Sequence, residues 1–311
     1  MDVQSLFSIF MSMLSGSLRV FIPIAFAALA FMVAAECGHI NMALDGQMLF
    51  AAFFGVYGSH LTGSPWIGLL FAIVFGIVTS LLLAVMTIHL KCPQVIAGLG
   101  INMLASGFTV VLMQAIFSAK GKTPVVAGLN TIKIPFFSNI PIIGDLFSEI
   151  SPLLLVLIGC MLILRFVIKK TPFGLRMRVT GENPVVAASH GIDVYKMQYI
   201  CVILSGVLAS IGGACLSIGD INLFSRDMVS GRGFIGIAVC IFGGYDPVEV
   251  VLASLLFGFA QSLQYRIQGV AIPSQLVQML PYLLTMIVLA VKRKNGSGPV
   301  SLGLPYEKEG Q

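Results

Sequence analysis

Charge is what this sequence has little of. Only 10% of its 311 residues are Asp, Glu, Lys or Arg, while 57% are apolar; ordinary soluble domains carry roughly 25% charged residues. A water-soluble surface cannot be built from that supply. Long polar inserts are missing too. Apolar runs recur from Ser17 to Val291, which is the pattern of one membrane domain with no second domain beside it. The six cysteines form no CxxC pair, and His39, His60, His89 and His190 do not gather at ligand spacing. No metal or cofactor is therefore expected on this chain. The net charge of +5 comes from basic residues flanking apolar runs, so it marks membrane anchors and no nucleic-acid surface. A nucleophile and base at recognisable spacing are also lacking, which speaks against an enzyme.

One ATP-binding signal needs weighing. Gly121, Lys122 and Thr123 imitate the end of a phosphate-binding loop, but the required first glycine would fall at Ile116 and no strand precedes it. ATP, if it is used, is used by another chain.

What is present is apolar sequence in membrane-length pieces. About nine spans can be marked: Ser17–Ala35, Gln47–Leu61, Trp66–Leu90, Val95–Phe117, Pro152–Ile168, Met197–Ile218, Gly233–Phe242, Val248–Leu263 and Leu276–Val291. The second and seventh are short. Residues 1–16 lack a basic flank and a small-residue cleavage site, so they read as mature protein; LFSIFMSML within them is too short to span and suits the interface. Residues 17–294 form the transmembrane domain.

Orientation follows from Lys169, Lys170, Arg176, Arg178 and Lys196 between spans five and six, and from Lys292, Arg293 and Lys294 after span nine. Both clusters belong on the cytoplasmic side. An even number of spans separates them, so the two placements agree, and counting back puts the N-terminus outside. Loop 169–196 is then cytoplasmic, loop 118–151 external, and 295–311 a polar cytoplasmic tail expected to be disordered.

Two stretches echo each other. GHINMALD (Gly38 to Asp45) follows span one, and GDINLFSRD (Gly219 to Asp227) follows span six; a short span comes after each. Inverted repeats with interrupted helices near a substrate path show this pattern. The alternative is a chance match between polar turns, which favour Gly and Asn. Glu36, Asn41 and Asp45 in the first stretch, and Asn222 in the second, are candidates for a conduit lining or a structural hydrogen-bond network; the other reading is a wet interfacial turn. Asn102 is a further candidate for the path, with interhelix bonding as its alternative role.

The longest signal is TPFGLRMRVTGENPVVAASHGIDVYKMQYICVILSGVLASIGGACL (Thr171 to Leu216). It resembles the cytoplasmic coupling region of ABC importer permeases for ribose, simple sugars, nucleosides and branched-chain amino acids, with a core at Gly181, Asn183, Ala187, Ala188, Gly191 and Ile192. AAECGHINMALDGQML and GRGFIGIAVCIFGGYDP resemble two further family segments, in the forms of the nucleoside and simple-sugar branch. The resemblance implies an all-α fold with inverted halves of about four helices each around a central span. It also implies a bacterial inner-membrane location and three partners: a second homologous permease that forms a heterodimer with this chain, a cytoplasmic ATPase, and an extracellular solute-binding protein. Members of the sugar branch often have an extra N-terminal span that this sequence lacks, in keeping with an external N-terminus. Residues Gly181, Glu182, Asn183, Pro184, Ala187, Ala188, Gly191 and Ile192 would contact the ATPase. Local physics fits that role, since a short helix starting at Asn183 and Pro184 and stopped by Gly191 makes a compact knob with Ala187 and Ala188 at its centre. An ion-coupled secondary transporter using Glu36 or Asp45 is the alternative function.

Overall fold

The computed structural model describes residues 3–130, 151–267, 279, 283, 286 and 298–306, with side chains from Gly16 to Tyr265 and at the later positions. Among these it is helical, apart from a single bridge between Lys122 and Ser225. In chain order the helices are α1 (Val3–Ala35), α2 (Leu44–Thr62), α3 (Pro65–Ala84), α4 (Gln94–Phe117), α5 (Pro152–Lys170), α6 (Pro172–Glu182), α7 (Pro184–Ser189), α8 (Val194–Leu216), α9 (Arg232–Phe242) and α10 (Pro247–Ile267). Wider π turns extend α3 over Val85–His89 and α8 over Ser217–Ile221.

Helix starts follow from local chemistry. Pro65, Pro152, Pro172 and Pro184 take the first turn, where a missing N–H costs nothing. Ser151, Thr171, Asn183 and Asp193 accept hydrogen bonds from the exposed N–H groups of the helices that follow them. At the other end of α2, Gly63 adopts φ +69 and donates to the Ser59 carbonyl.

Six of the described helical segments are long and apolar enough to cross a membrane: Gly16–Ala35, Pro65–His89, Gln94–Phe117, Pro152–Lys170, Val194–Ile221 and Pro247–Tyr265. Helix α9 is shorter, as its apolar run implied. Helix α2 is buried along nearly its whole length. The expected ninth span, Leu276–Val291, lies almost wholly outside the described residues. Val3 to Gly16 was expected to be a separate interfacial piece, but it continues into the first span as one helix.

Packing relies on small residues, because lipid gives helices no hydrophobic reason to associate. Helices α3 and α8 show this best. A Cβ added at Gly76 would stand 1.5 Å from the Ser210 hydroxyl, and one at Gly206 would stand 1.4 Å from the Ser80 hydroxyl. The two pairs interlock antiparallel helices at backbone distance. Helix α1 runs through the centre and is almost completely buried from Phe21 to Ala35.

The bundle has two distinct ends. At one, the end of α1 meets α6, and Lys169 at the end of α5 pairs with Asp246 in the α9–α10 turn. Burial works to raise the Asp246 carboxyl, but Lys169 and the Val248 N–H outweigh it and hold Asp246 below the ordinary carboxylate range. This end carries the basic cluster Lys169, Lys170, Arg176, Arg178 and Lys196, the cluster expected on the cytoplasmic side. At the other, residues 122–129 run alongside 218–225.

Candidate functional site

Helices α2 and α9 are both preceded by irregular backbone, and their N-termini meet inside the bundle. Asp45 Oδ1 accepts from the Gly233 N–H at 3.0 Å. A Cβ on Gly233 would lie 2.6 Å from the Asp45 nitrogen, so only glycine permits this approach. Two helix N-termini, each with a partial positive charge, converge there on one carboxylate.

Asn102 on α4 fixes the break from the side. Its Oδ1 accepts from Gly46 N at 2.7 Å, and its Nδ2 donates to the Met42 carbonyl at 2.8 Å. Asn102 lies eight residues into α4, about 12 Å from the start of that helix. One turn further on, the Ser106 hydroxyl donates to Asp227 Oδ1 at 2.8 Å.

These residues line one groove. Asp45, Asn102, Ser106, Asp227 and Ser230 supply its polar groups, Leu49, Leu99, Met103 and Phe234 its apolar walls, and its volume is about 430 Å³. A smaller cavity of about 260 Å³ continues outward along the same face of α4, past Val110 and Gln114 to Lys120 and Arg226. The rest of the exposed α4 surface is apolar, including Ile96, Leu104 and Val111. Carboxylates and amides at this depth are costly against lipid, so this face requires water or another protein chain.

The other candidates for the path lie elsewhere. Asn41 is fully buried, donating to Gln47 Oε1 at 3.0 Å and to Ser205 Oγ at 2.9 Å. It belongs to a structural network. Asn222 lines a separate cavity of about 290 Å³ near the outer end, with Arg19, Asn130 and Asp220. Glu36 sits at the end with the basic cluster, against Gly181. Burial pushes its carboxyl up to about 7, Arg178 opposes the shift, and Glu182 and Asp246 add to it. Asp227, Ser106 and Ser230 were not singled out from the sequence. The aspartate ending GDINLFSRD was in view, but its partner on α4 is a tertiary contact that no spacing reveals.

The short helix expected to start at Asn183 and Pro184 is present, and with residues 181–192 it makes an elbow at the end that carries the basic cluster. Asn183 Oδ1 accepts from the N–H groups of Val185 and Val186, both at 3.1 Å, and opens α7; Gly191 follows at φ +79. The face of α7 differs from expectation. Ala187 is completely buried and Ala188 half-buried, whereas Val185 and Val186 are 52% and 42% exposed. A one-turn helix lying on the bundle must turn its smallest residue inward, so any partner meets the valines and Ala188. Immediately before it, Gly181 presses on the first break: an added Cβ would stand 2.3 Å from the Glu36 carbonyl oxygen. His39, on the same break, bonds to Thr87 at 2.8 Å. Among the described residues no group of His, Cys, Asp and Glu side chains could hold a metal ion.

Comparison with known proteins gives a consistent result. The guanosine ABC transporter permease protein NupQ of Bacillus subtilis is 34% identical, over 99% of this chain and 99% of its own length. The nucleoside ABC transporter permease protein NupC of Lactococcus lactis is 36% identical, over 92% of this chain and 93% of its own. A solved structure described as an inward-facing conformation of a metal-chelate type ABC transporter shares the fold, with a TM-score of 0.51 at 14% identity, covering 89% of this chain and 84% of that one. The model of the branched-chain amino acid transport system / permease component family matches residues 13–289, and the chain belongs to that family.

Proposed function

We propose that this chain is one of two permease subunits of an ATP-driven nucleoside importer of the bacterial plasma membrane. The observation that carries the reading is the groove of Asp45, Asn102, Ser106 and Asp227, open along one side of α4. It is half of a conduit. Carboxylate oxygens accept hydrogen bonds from sugar hydroxyls, and the walls at Met103 and Phe234 suit the face of a base. The names borne by NupQ and NupC support the same solute class.

A second permease chain closes the groove. If that chain were an identical copy, a twofold axis would add another Asp45 and Asp227 across the pore, and like charges at low dielectric resist this. A non-identical companion is the better fit. The chain itself performs no covalent chemistry. A cytoplasmic ATPase engages α7 and residues 181–192, and a solute-binding protein delivers at the outer end near Lys120 and Arg226.

The test is uptake of radiolabelled guanosine, adenosine, uridine and cytidine by cells carrying the whole transporter, with Gly181–Gly191 either native or replaced by an unrelated linker. The expected outcome is normal membrane insertion of both chains and loss of uptake with the linker. Uptake that follows an ion gradient and ignores the ATPase would instead establish a secondary transporter.

A further inference from the structure

The tail expected to be disordered is in part a structural member of the elbow. Residues 298–306 cross the cytoplasmic end and touch four elements in turn. Gly298 lies against Tyr245 of the α9–α10 turn, where an added Cβ would be 2.8 Å from the phenolic oxygen. Ser301 is buried, and its N–H donates to the Gly181 carbonyl at 3.0 Å while its hydroxyl donates to the same oxygen. Two residues on, Gly303 donates to the Gly38 carbonyl at 2.9 Å. Its φ of +82 and the closeness of Ile40 Cδ1, 2.6 Å from an added Cβ, leave room only for glycine. Tyr306 then packs against Tyr195 at the start of α8, with ring centroids 5.4 Å apart and the rings tilted by 59°, and its carbonyl accepts from the Tyr195 hydroxyl at 3.4 Å.

The Gly181 carbonyl lies in the last turn of α6, where no intrahelical donor is available. The tail supplies two. A neighbouring pair of bonds thereby joins the end of α6 to the first break, through Ser301 on one side and Gly303 on the other. Besides them, the described links from α6 to Glu36 are the packing of Gly181 on its carbonyl and the charge of Arg178. Close packing transmits a push, but hydrogen bonds are needed to transmit a pull. From Gly38 the backbone reaches Asp45 in the groove within seven residues, fixed along the way by the bonds of His39, Asn41 and Met42 to α3, α8 and α4.

We propose that residues 299–306 are a strap that makes the cytoplasmic elbow and the first break move as one body, so that displacement of α7 in either direction reaches Asp45. Ser301 and Gly303 are its positioning residues. This rests on the importer reading above and adds the part that carries motion from the elbow to the groove.

The experiment uses the intact transporter purified through a tag on this chain and reconstituted in liposomes, with guanosine as the probe. Two variants are compared with the native chain: Ser301→Pro, which removes both donors to Gly181, and Ser301→Thr, which keeps both. The expected result for Ser301→Pro is co-purification of the ATPase, basal ATP hydrolysis within about twofold of native, and at least about a fivefold loss of guanosine transported per ATP, the lower end of ordinary coupling energies. Ser301→Thr restores the native ratio. A chain ended after Gly298 gives the same loss as Ser301→Pro. Native transport per ATP in both the proline variant and the truncated chain overturns the strap, as does loss of ATPase co-purification in both, which would make the tail an assembly element. If the native transporter itself fails to couple ATP to guanosine or the other nucleosides, the importer reading fails and the strap is not at fault.

Discussion

The two breaks in the helix order begin alike and are braced differently. One reads GHIN and leads into α2, the other reads GDIN and leads to α9, and the two helices that follow meet at Asp45 and Gly233. The first is held by parts at the end with the basic cluster: Gly181, the strap, Thr87 and Gln94, whose Oε1 accepts from Ile40 N at 2.6 Å. The second is held by residues 122–129 after α4, with Val126 N donating to the Asn222 carbonyl and Leu129 N to the Ile218 carbonyl, both at 2.8 Å, and Thr123 N to the Phe224 carbonyl at 2.9 Å. The breaks are alike in sequence and in leading to helices that meet, and the differing braces tie one to the end carrying the basic cluster and the other to the opposite end.

Two glycines allow that comparison to be broken one side at a time. At the first break, Gly181→Ala would drive a methyl group to within 2.3 Å of the Glu36 backbone carbonyl. Backbone cannot rotate away, so a loss of about 1–3 kcal/mol is expected, read as a lower melting temperature of the detergent-solubilised transporter together with reduced transport per ATP. A native melting curve and native coupling in that variant would show that the elbow does not bear on the break.

The next effect is one of pH. The Glu36 carboxyl is raised from 4.5 to about 7, so the folded chain favours its protonated form. The associated stability is complete below about pH 4.5 and fades as the pH rises to about 7. Glu36→Gln should flatten the dependence of melting temperature on pH across that window, and an unchanged slope would contradict the placement of Glu36. Removing the α7 cap by Asn183→Ala should cost about 1 kcal/mol and weaken ATPase co-purification while leaving the groove intact; unchanged binding at several ATPase concentrations would count against α7 as the docking helix.

The smallest effect is expected at the second break. A methyl group on Gly128 would meet the Asn222 side-chain oxygen at 1.7 Å, but an amide at the end of a side chain can turn aside. Gly128→Ala should therefore shift stability by about 0.5 kcal/mol or less and leave transport per ATP unchanged. A loss equal to that of Gly181→Ala would erase the distinction between the braces.

Much of this was legible in the sequence where local chemistry decides. The Asn183–Pro184 start of α7, its stop at Gly191, the short α9 and the two irregular stretches all follow from caps, glycine and run length. Tertiary relations were not legible. The echo pairs Asn41 with Asn222, and these lie apart from the groove; the aspartates that end the two stretches, Asp45 and Asp227, do line it, but their meeting with Asn102 and Ser106 on α4 is a relation between helices that no repeat shows. Glu36 stands two residues before Gly38 and reads as pore lining until α6 is seen against it. The tail looked disordered because its composition is polar and glycine-rich; what orders part of it is an unpaired carbonyl at the end of α6, which composition cannot show.

On the importer reading, the groove is worked from the elbow at residues 181–191 through the first break. Met103, 78% exposed on the groove wall, gives direct access to it as Met103→Cys, labelled by a water-soluble maleimide in the intact transporter with and without vanadate-trapped nucleotide. Trapping should change the labelling rate at least about fivefold with the native elbow and leave it unchanged when an unrelated linker replaces Gly181–Gly191. An equal change with the linker, or none with the native elbow, would contradict it.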